Sequence, residues 1–288
     1  MRLVTFRGQD GPVVGVLRGD GEVVELTTPP DMLSLLDSGE EGLALVEDAL
    51  RGGKGKVHEL GAVRLLAPLP NPRGNVIAIG RNYKAHAEES ARAAGKSVDP
   101  PTVFTKAVTA VSGPNDDIVI DYAVTSQVDW EVELGLVIGR AGANITRERA
   151  LEHVFGYVVV NDVSARDIQF GWGGQYFKGK SLDGFCPLGP WIVTRDEIPD
   201  PQALRLSLRV NGDVKQDATT ADMIFPVDTI VEWVSKGMTL PVGTLIATGT
   251  PDGVGFARTP PEYLEPGDVV EAEVEGIGVL RNRFIARK

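Results

Sequence analysis

The chain has 288 residues, 42% hydrophobic and 24% charged, ordinary globular values with enough length to bury a sizeable core in one or two domains. A formal charge of −11 without a Lys/Arg cluster removes the electrostatic footprint of a nucleic-acid binder, and no apolar run nears the roughly 18 residues of a membrane span. Cys186, the single cysteine, excludes an intramolecular disulfide and argues against a cysteine-based zinc site, while "MRLVTFRGQDG" has no secretory pattern. The expected setting is therefore cytoplasmic, and the expected partner a small molecule or a metal, with neither nucleic acid nor membrane.

From Met1 to about Glu25, short β runs alternate with Gly and Asp turns, which predicts a small antiparallel sheet. "DMLSLLDSGEEGLALVEDALRGG" carries leucines at helical spacing and predicts one helix stopped by a Gly pair. Three prolines in residues 65–75 suit an extended connection, so a boundary is placed near residue 70: a small N-terminal α+β domain over 1–70, a catalytic domain over 71–288. Beyond it, strand signals dominate: "NVIAIG", "DIVI", "WEVELGLVIG", "VFGYVVVNDV", "PWIVT", "LRLSLRVNG", "TLIATGT" and "DVVEAEVEGIGVLRNRF". Helices are expected only over residues 82–94 and in "VDTIVEWVSKGM". Many strands without regular βα alternation argue for a β-rich α+β fold built on a mixed β-roll or barrel, against a doubly wound sheet.

In "DWEVELGLVIG", residues 129–139, a strand period of two puts Asp129, Glu131 and Glu133 on one face. Like charges so aligned repel, and burial raises their pKa values unless a cation compensates; Mg²⁺, Mn²⁺ and Ca²⁺ prefer such oxygens. A solvent-facing edge strand would show the same alternation. A third acid comes from "GYVVVNDVSARDIQ", where the apolar run from Tyr157 to Val160 ends at Asn161 and Asp162, at the mouth of a buried strand. Arg166 is suited to a carboxylate of protein or substrate, and Asp167 reads as a cap.

"GRNYKAHAEE" holds His86 three residues before Glu89, a spacing that puts both on one helix face as an oriented base; a surface histidine would also fit. His58 and His153 read as structural. "GQYFKGKS", residues 174–181, matches the phosphate-loop pattern letter for letter, but no strand precedes it and "LDGFCPLGP" cannot continue a helix. It reads instead as a flexible glycine-rich loop delivering Lys180 to a developing enolate or oxyanion. In "ATGTPDGVG", backbone amides and Thr250 are candidates for holding a substrate carboxylate.

Taken in order, "GRNYKAHAEE", "FTK", "DWEVELGLVIG", "NDVSARDIQ", "GKSLDGFCPLGP" and "ATGTPDGVG" resemble the fumarylacetoacetate hydrolase family from about Asn75 to Phe284. The resemblance implies a β-roll catalytic domain, usually dimeric, with Mg²⁺, Mn²⁺ or Ca²⁺ on Glu131, Glu133 and Asp162. It implies His86 and Glu89 as a water-activating dyad, Lys180 as enolate stabiliser, and Arg81, Tyr83, Lys106, Arg166, Gln169 and Thr250 near the substrate. Fumarylacetoacetase itself has a further aspartate ligand ahead of its histidine, which "GRNYKAH" lacks, so the likeness is to the smaller three-carboxylate bacterial members. The implied activity is hydrolysis of a carbon–carbon bond in a 2,4-dioxo acid through a metal-bound enolate. Isomerisation of a 2-hydroxyhepta-2,4-diene-1,7-dioate type compound, decarboxylation of oxaloacetate, and a catalytically silent binding protein stand as alternatives.

Overall fold

The computed structural model describes residues 1–85 and 102–287. Its spine is a twelve-stranded sheet of mostly antiparallel neighbours, and at its centre Val132–Ile138 lies between Val154–Asn161 and Leu245–Ala247. From Val154–Asn161 the sheet continues through Cys186–Thr194 to Arg2–Arg7, Pro12–Arg18, Glu22–Glu25 and Val57–Glu59; the other side ends in Val76–Gly80 and Thr102–Lys106. The N-terminal strands therefore join the main sheet directly, with Leu3 opposite Ile192, and no break in the sheet marks residue 70.

Both faces of the central strands are covered, which is why their sequences read as continuous apolar runs. Val132, Leu134, Leu136, Tyr157 and Val159 pack toward a second sheet, in the order Asp213–Thr219, Arg205–Val210, Val269–Val274, Gly278–Ala286 and Asp117–Ile120, and toward the helix Val227–Ser235. Val137, Val158 and Val160 pack the other way, into a core with Val14, Val16, Met32, Leu35, Leu36 and Val46. Each such fully buried aliphatic side chain contributes about 1.5–3 kcal/mol. The architecture is the expected β-rich α+β roll, with open sheets rather than a closed barrel.

The helix expected after residue 30 is two, Met32–Asp37 and Gly39–Leu50. Asp31 caps the first through Ser34 N, and Gly39, at φ +54°, turns the chain between them. Of the helix expected over 82–94, Asn82 is not helical, Tyr83 forms a bridge with Met223, and Lys84 and Ala85 are helical; residues 86–94 lie outside the described residues. Among the described residues, no helix is long and apolar enough to cross a membrane. The strands Val57–Glu59, Thr102–Lys106 and Asp213–Thr219 went unpredicted, because their short or polar runs offer little periodicity.

Candidate active site

The carboxylates meet through register. Antiparallel pairing sets Val132 opposite Asn161 and Glu133 opposite Val160, and one step beyond, Asp162 N donates to Glu131 O at 2.9 Å. Directly opposed residues share a face, so Glu131, Glu133 and Asp162 converge at the end of this strand pair. The chain leaves strand geometry at Trp130 and Glu131, where Asn161 Oδ1 accepts from Glu131 N at 3.0 Å. The three side chains are buried and offer oxygens within 4.8 Å of one another.

Cations line the other side. Lys180 Nζ lies 2.8 Å from Glu131 Oε2 and 2.7 Å from Asp162 Oδ2; Lys106 Nζ lies 2.5 Å from Asp162 Oδ1 and also donates to Val163 O. Arg166 reaches Glu131 Oε1 through Nη2 at 2.6 Å and Asp129 Oδ2 through Nε at 2.8 Å. Burial pulls the Lys180 ammonium down, but Asp162 and Glu131 outweigh it and hold the group above its ordinary value, so it stays charged at neutral pH. Arg166 is held up in the same way, against burial, by Asp129 and Glu131. Among the described residues, these ion pairs join Asp129, Glu131 and Asp162 to Lys106, Arg166 and Lys180. Glu133 receives an N–H from Gly249 at 2.8 Å, and burial with the neighbouring Asp162 and Glu131 pushes its pKa well up. Three buried, converging carboxylates fit a divalent cation, of which Mg²⁺, Mn²⁺ and Ca²⁺ have the matching ligand preference.

A cavity of about 50 Å³ opens on Glu131 and Glu133. Arg81, Arg166, Gln169, Lys180 and Thr250 line it, as do Ile79, Gly80 and four aromatic residues, Phe104, Phe170, Tyr176 and Phe256. The aromatic wall was not read from the sequence, where its members lie scattered over about 150 positions. Phe104 stands edge-on to Tyr176 at 5.5 Å, and Phe170 touches both Tyr176 and Phe256.

Several expected roles land elsewhere. Tyr83 does not line this cavity; it is buried in the main core, and burial, with Glu133 and Asp222 nearby, raises its pKa. Lys106 is likewise walled off, its ammonium committed to Asp162. The Arg166 fork is turned onto protein groups, with Nη1 donating to Gln169 Oε1 at 2.8 Å. Thr250 Oγ1 donates to Val132 O and accepts from Gln216 Nε2, while Gly249 N and Gly255 N donate to the Glu133 and Asp129 carboxylates. Gly249, at φ +98°, passes so close to Ile79 and Asn82 that a Cβ would lie 2.7–2.8 Å from their atoms. Asp167 caps residues 125 and 126, and His58 and His153 make structural bonds to Glu25 and Arg140 O. His86 and Glu89 lie outside the described residues.

Lys180 is not carried by a flexible loop. It ends the short helix Phe177–Lys180, packed on the helix Arg166–Gly171, and is 1% exposed. A Cβ on Gly179 would meet Gln169 N at 2.6 Å and Ala165 O at 2.8 Å. The glycine of "GKS" therefore serves close helix contact, and after Gly184 the chain enters the strand Cys186–Thr194, so no phosphate-binding helix follows.

Comparison with known proteins agrees with this geometry. The family model for the C-terminal domain of fumarylacetoacetate hydrolase matches residues 75–285. An oxaloacetate tautomerase of Bacillus subtilis (strain 168) is 40% identical over 283 residues, 96% of this chain and 93% of that protein. Among solved structures, a fumarylacetoacetate hydrolase from psychrophilic Exiguobacterium antarcticum superposes with a TM-score of 0.84 at 40% identity, each chain wholly covered. A 2-hydroxyhepta-2,4-diene-1,7-dioate isomerase from Mycobacterium marinum gives 0.78 at 35% identity, covering 100% of this chain and 99% of that one. The chain is a member of the fumarylacetoacetate hydrolase family.

Proposed function

We propose that the protein is a divalent-metal-dependent isomerase of small 2-oxo acids, interconverting keto and enol forms by moving a proton between carbon and oxygen. This replaces the carbon–carbon hydrolase expected first from the sequence, because the relatives and solved structures named above lean toward tautomerases and isomerases. The observation that carries the chemistry is the buried Glu131, Glu133 and Asp162 cluster with a charged Lys180 at its edge.

Glu131, Glu133 and Asp162 would hold the cation, which when bound supplies Lewis acidity toward a substrate carbonyl. Lys180 presents fixed positive charge where an enolate oxygen gathers electrons, in a site from which water is largely excluded. Arg81 and Gln169 line the approach and would orient the acid end of the substrate. His86, which the sequence spacing pairs with Glu89, would take the proton from carbon and deliver it to the enolate oxygen, and the reverse in the other direction.

Hydrolysis is the second reading, favoured by the Exiguobacterium structure, and it would use the same dyad to activate water. The test is turnover of oxaloacetate (keto–enol exchange), a hydroxymuconate-type dienol and acetylpyruvate, each with Mg²⁺ or Mn²⁺ and each with chelator. Metal-dependent isomerisation well above acetylpyruvate cleavage is expected. The reverse order would move the assignment to the hydrolase, and chelator-insensitive turnover would remove the metal from the reaction.

A further inference from the structure

Asp129 ends a separate short strand, Val128–Asp129, paired with Ser164–Ala165, and is not among the residues that line the cavity. Its carboxylate is fully buried and takes four hydrogen bonds: Oδ1 from Trp130 N at 2.8 Å and Gly255 N at 2.7 Å, Oδ2 from Phe256 N at 3.0 Å and Arg166 Nε at 2.8 Å. The socket is built around it. A Cβ on Gly255 would stand 2.7 Å from Asp129 Oδ1, so only glycine lets that amide approach.

Among the described residues, its one charged partner is Arg166, whose guanidinium lies 4.4 Å from the Phe256 ring centroid, donates through Nη1 to Gln169 and meets Glu131 Oε1 through Nη2. One planar fork thus bridges Asp129, which faces no ligand, and Glu131, which lines the cavity. We propose that Asp129 is a positioning residue that acts through Arg166 on Glu131: it neutralises and orients the guanidinium, so that Glu131 is held in place yet keeps electron density for a divalent cation.

The physical case rests on the buried charge. Without the Asp129 carboxylate, the Arg166 cation would lean on Glu131 alone and lower its capacity as a donor, in surroundings where charge interactions are weakly screened. An amide at position 129 would also direct N–H donors at the N–H groups of Gly255, Phe256 or Arg166. A lysine at 166 keeps the charge but cannot span both carboxylates with a fork.

The inference rests on the reading of Glu131 as a metal ligand, so Mn²⁺ binding to the metal-free wild-type protein is measured first, by electron spin resonance of the free ion. No wild-type binding would overturn the metal reading and the inference with it. Given wild-type binding, Asp129→Asn and Arg166→Lys should each weaken Mn²⁺ about tenfold or more, and the double variant should lose little beyond either one. With Mn²⁺ saturating, kcat of Asp129→Asn should recover toward wild type, which a merely misfolded fraction would not do. Binding by folded Asp129→Asn within about twofold of wild type, or losses that multiply in the double variant, would overturn the inference while leaving the metal reading intact. If Asp129→Asn does not fold, Arg166→Lys decides alone: weakened binding supports the bridge, and unchanged binding overturns it.

Discussion

The molecule carries ion pairs in two settings. On the five-stranded sheet Arg205 meets Asp217 through bonds of 2.8 and 2.7 Å, and Arg283 meets Asp117 through two of 3.0 Å, all exposed. At the end of the Val132–Ile138 strand, Lys106, Arg166 and Lys180 meet Asp129, Glu131 and Asp162 at similar distances, all buried. The geometry is alike; the energetics are opposed. An exposed pair adds about 0–1 kcal/mol, whereas each buried ion first surrenders hydration at several kcal/mol. Aliphatic side chains filling that volume would stabilise the fold at least as well. The buried set therefore makes sense as a device for holding something, and removing single members should separate the two settings sharply.

The largest effect is expected from Lys180→Met. It leaves Glu131 and Asp162 with less compensation, so the metal-free protein should lose about 3–5 kcal/mol in chemical denaturation. Turnover should fall about 10²–10³-fold, the scale of one lost stabiliser of developing negative charge. Added Mn²⁺ should restore much of the stability and little of the rate; restoring both would make Lys180 a structural counter-ion only.

Glu133→Gln comes next, and its sign depends on the metal. Burial, with Asp162 and Glu131 beside it, raises the Glu133 pKa, so the native state holds this proton more tightly than the unfolded chain does. The corresponding stability is complete below the ordinary glutamate value and is lost as pH rises through the raised one. With chelator at neutral pH, Glu133→Gln should therefore be more stable than wild type, by about 1–4 kcal/mol, and its stability should vary less with pH. With Mn²⁺ at a hundred times its Kd, wild type gains about 2.7 kcal/mol and the order should close or reverse. A variant less stable in both conditions would mean that Glu133 is compensated by some other route.

The contrast also explains what was readable. Glu131, Glu133 and Asp162 were legible because period two and the end of an apolar run are local signals, and register then merely joined them. The strand pattern beyond residue 75 was largely legible for the same reason. Asp129 stood in the same alternation, yet nothing local said that its partners would be Arg166 and the amides of residues 255 and 256, over 30 and 120 positions away. Lys106 entered as a substrate contact only through the resemblance of "FTK", since nothing local signals the Asp162 side chain that its ammonium meets. "GKS" read as a flexible loop because the tight contact at Gly179 that demands glycine is tertiary. The union of the N-terminal strands with the main sheet was hidden similarly: strand pairing between Leu3 and Ile192 leaves no trace in either segment.

Asp217→Asn should give the smallest effect and so bounds the exposed setting. The Arg205 hydrogen bond holds the Asp217 pKa below its ordinary value, so the pair's contribution is present above that value and lost as pH falls through the lowered one. Because both side chains are well exposed, solvent screens the interaction, and the loss at neutral pH should be at most about 0.5 kcal/mol in urea unfolding. Added salt should shrink it further, and variant and parent should converge as pH falls through the lowered Asp217 value and the wild-type carboxylate becomes neutral. A loss comparable to that of Lys180→Met, insensitive to salt, would show that burial does not separate the two populations. The case for reading the interior charges as a built site would then have to rest on their convergence alone.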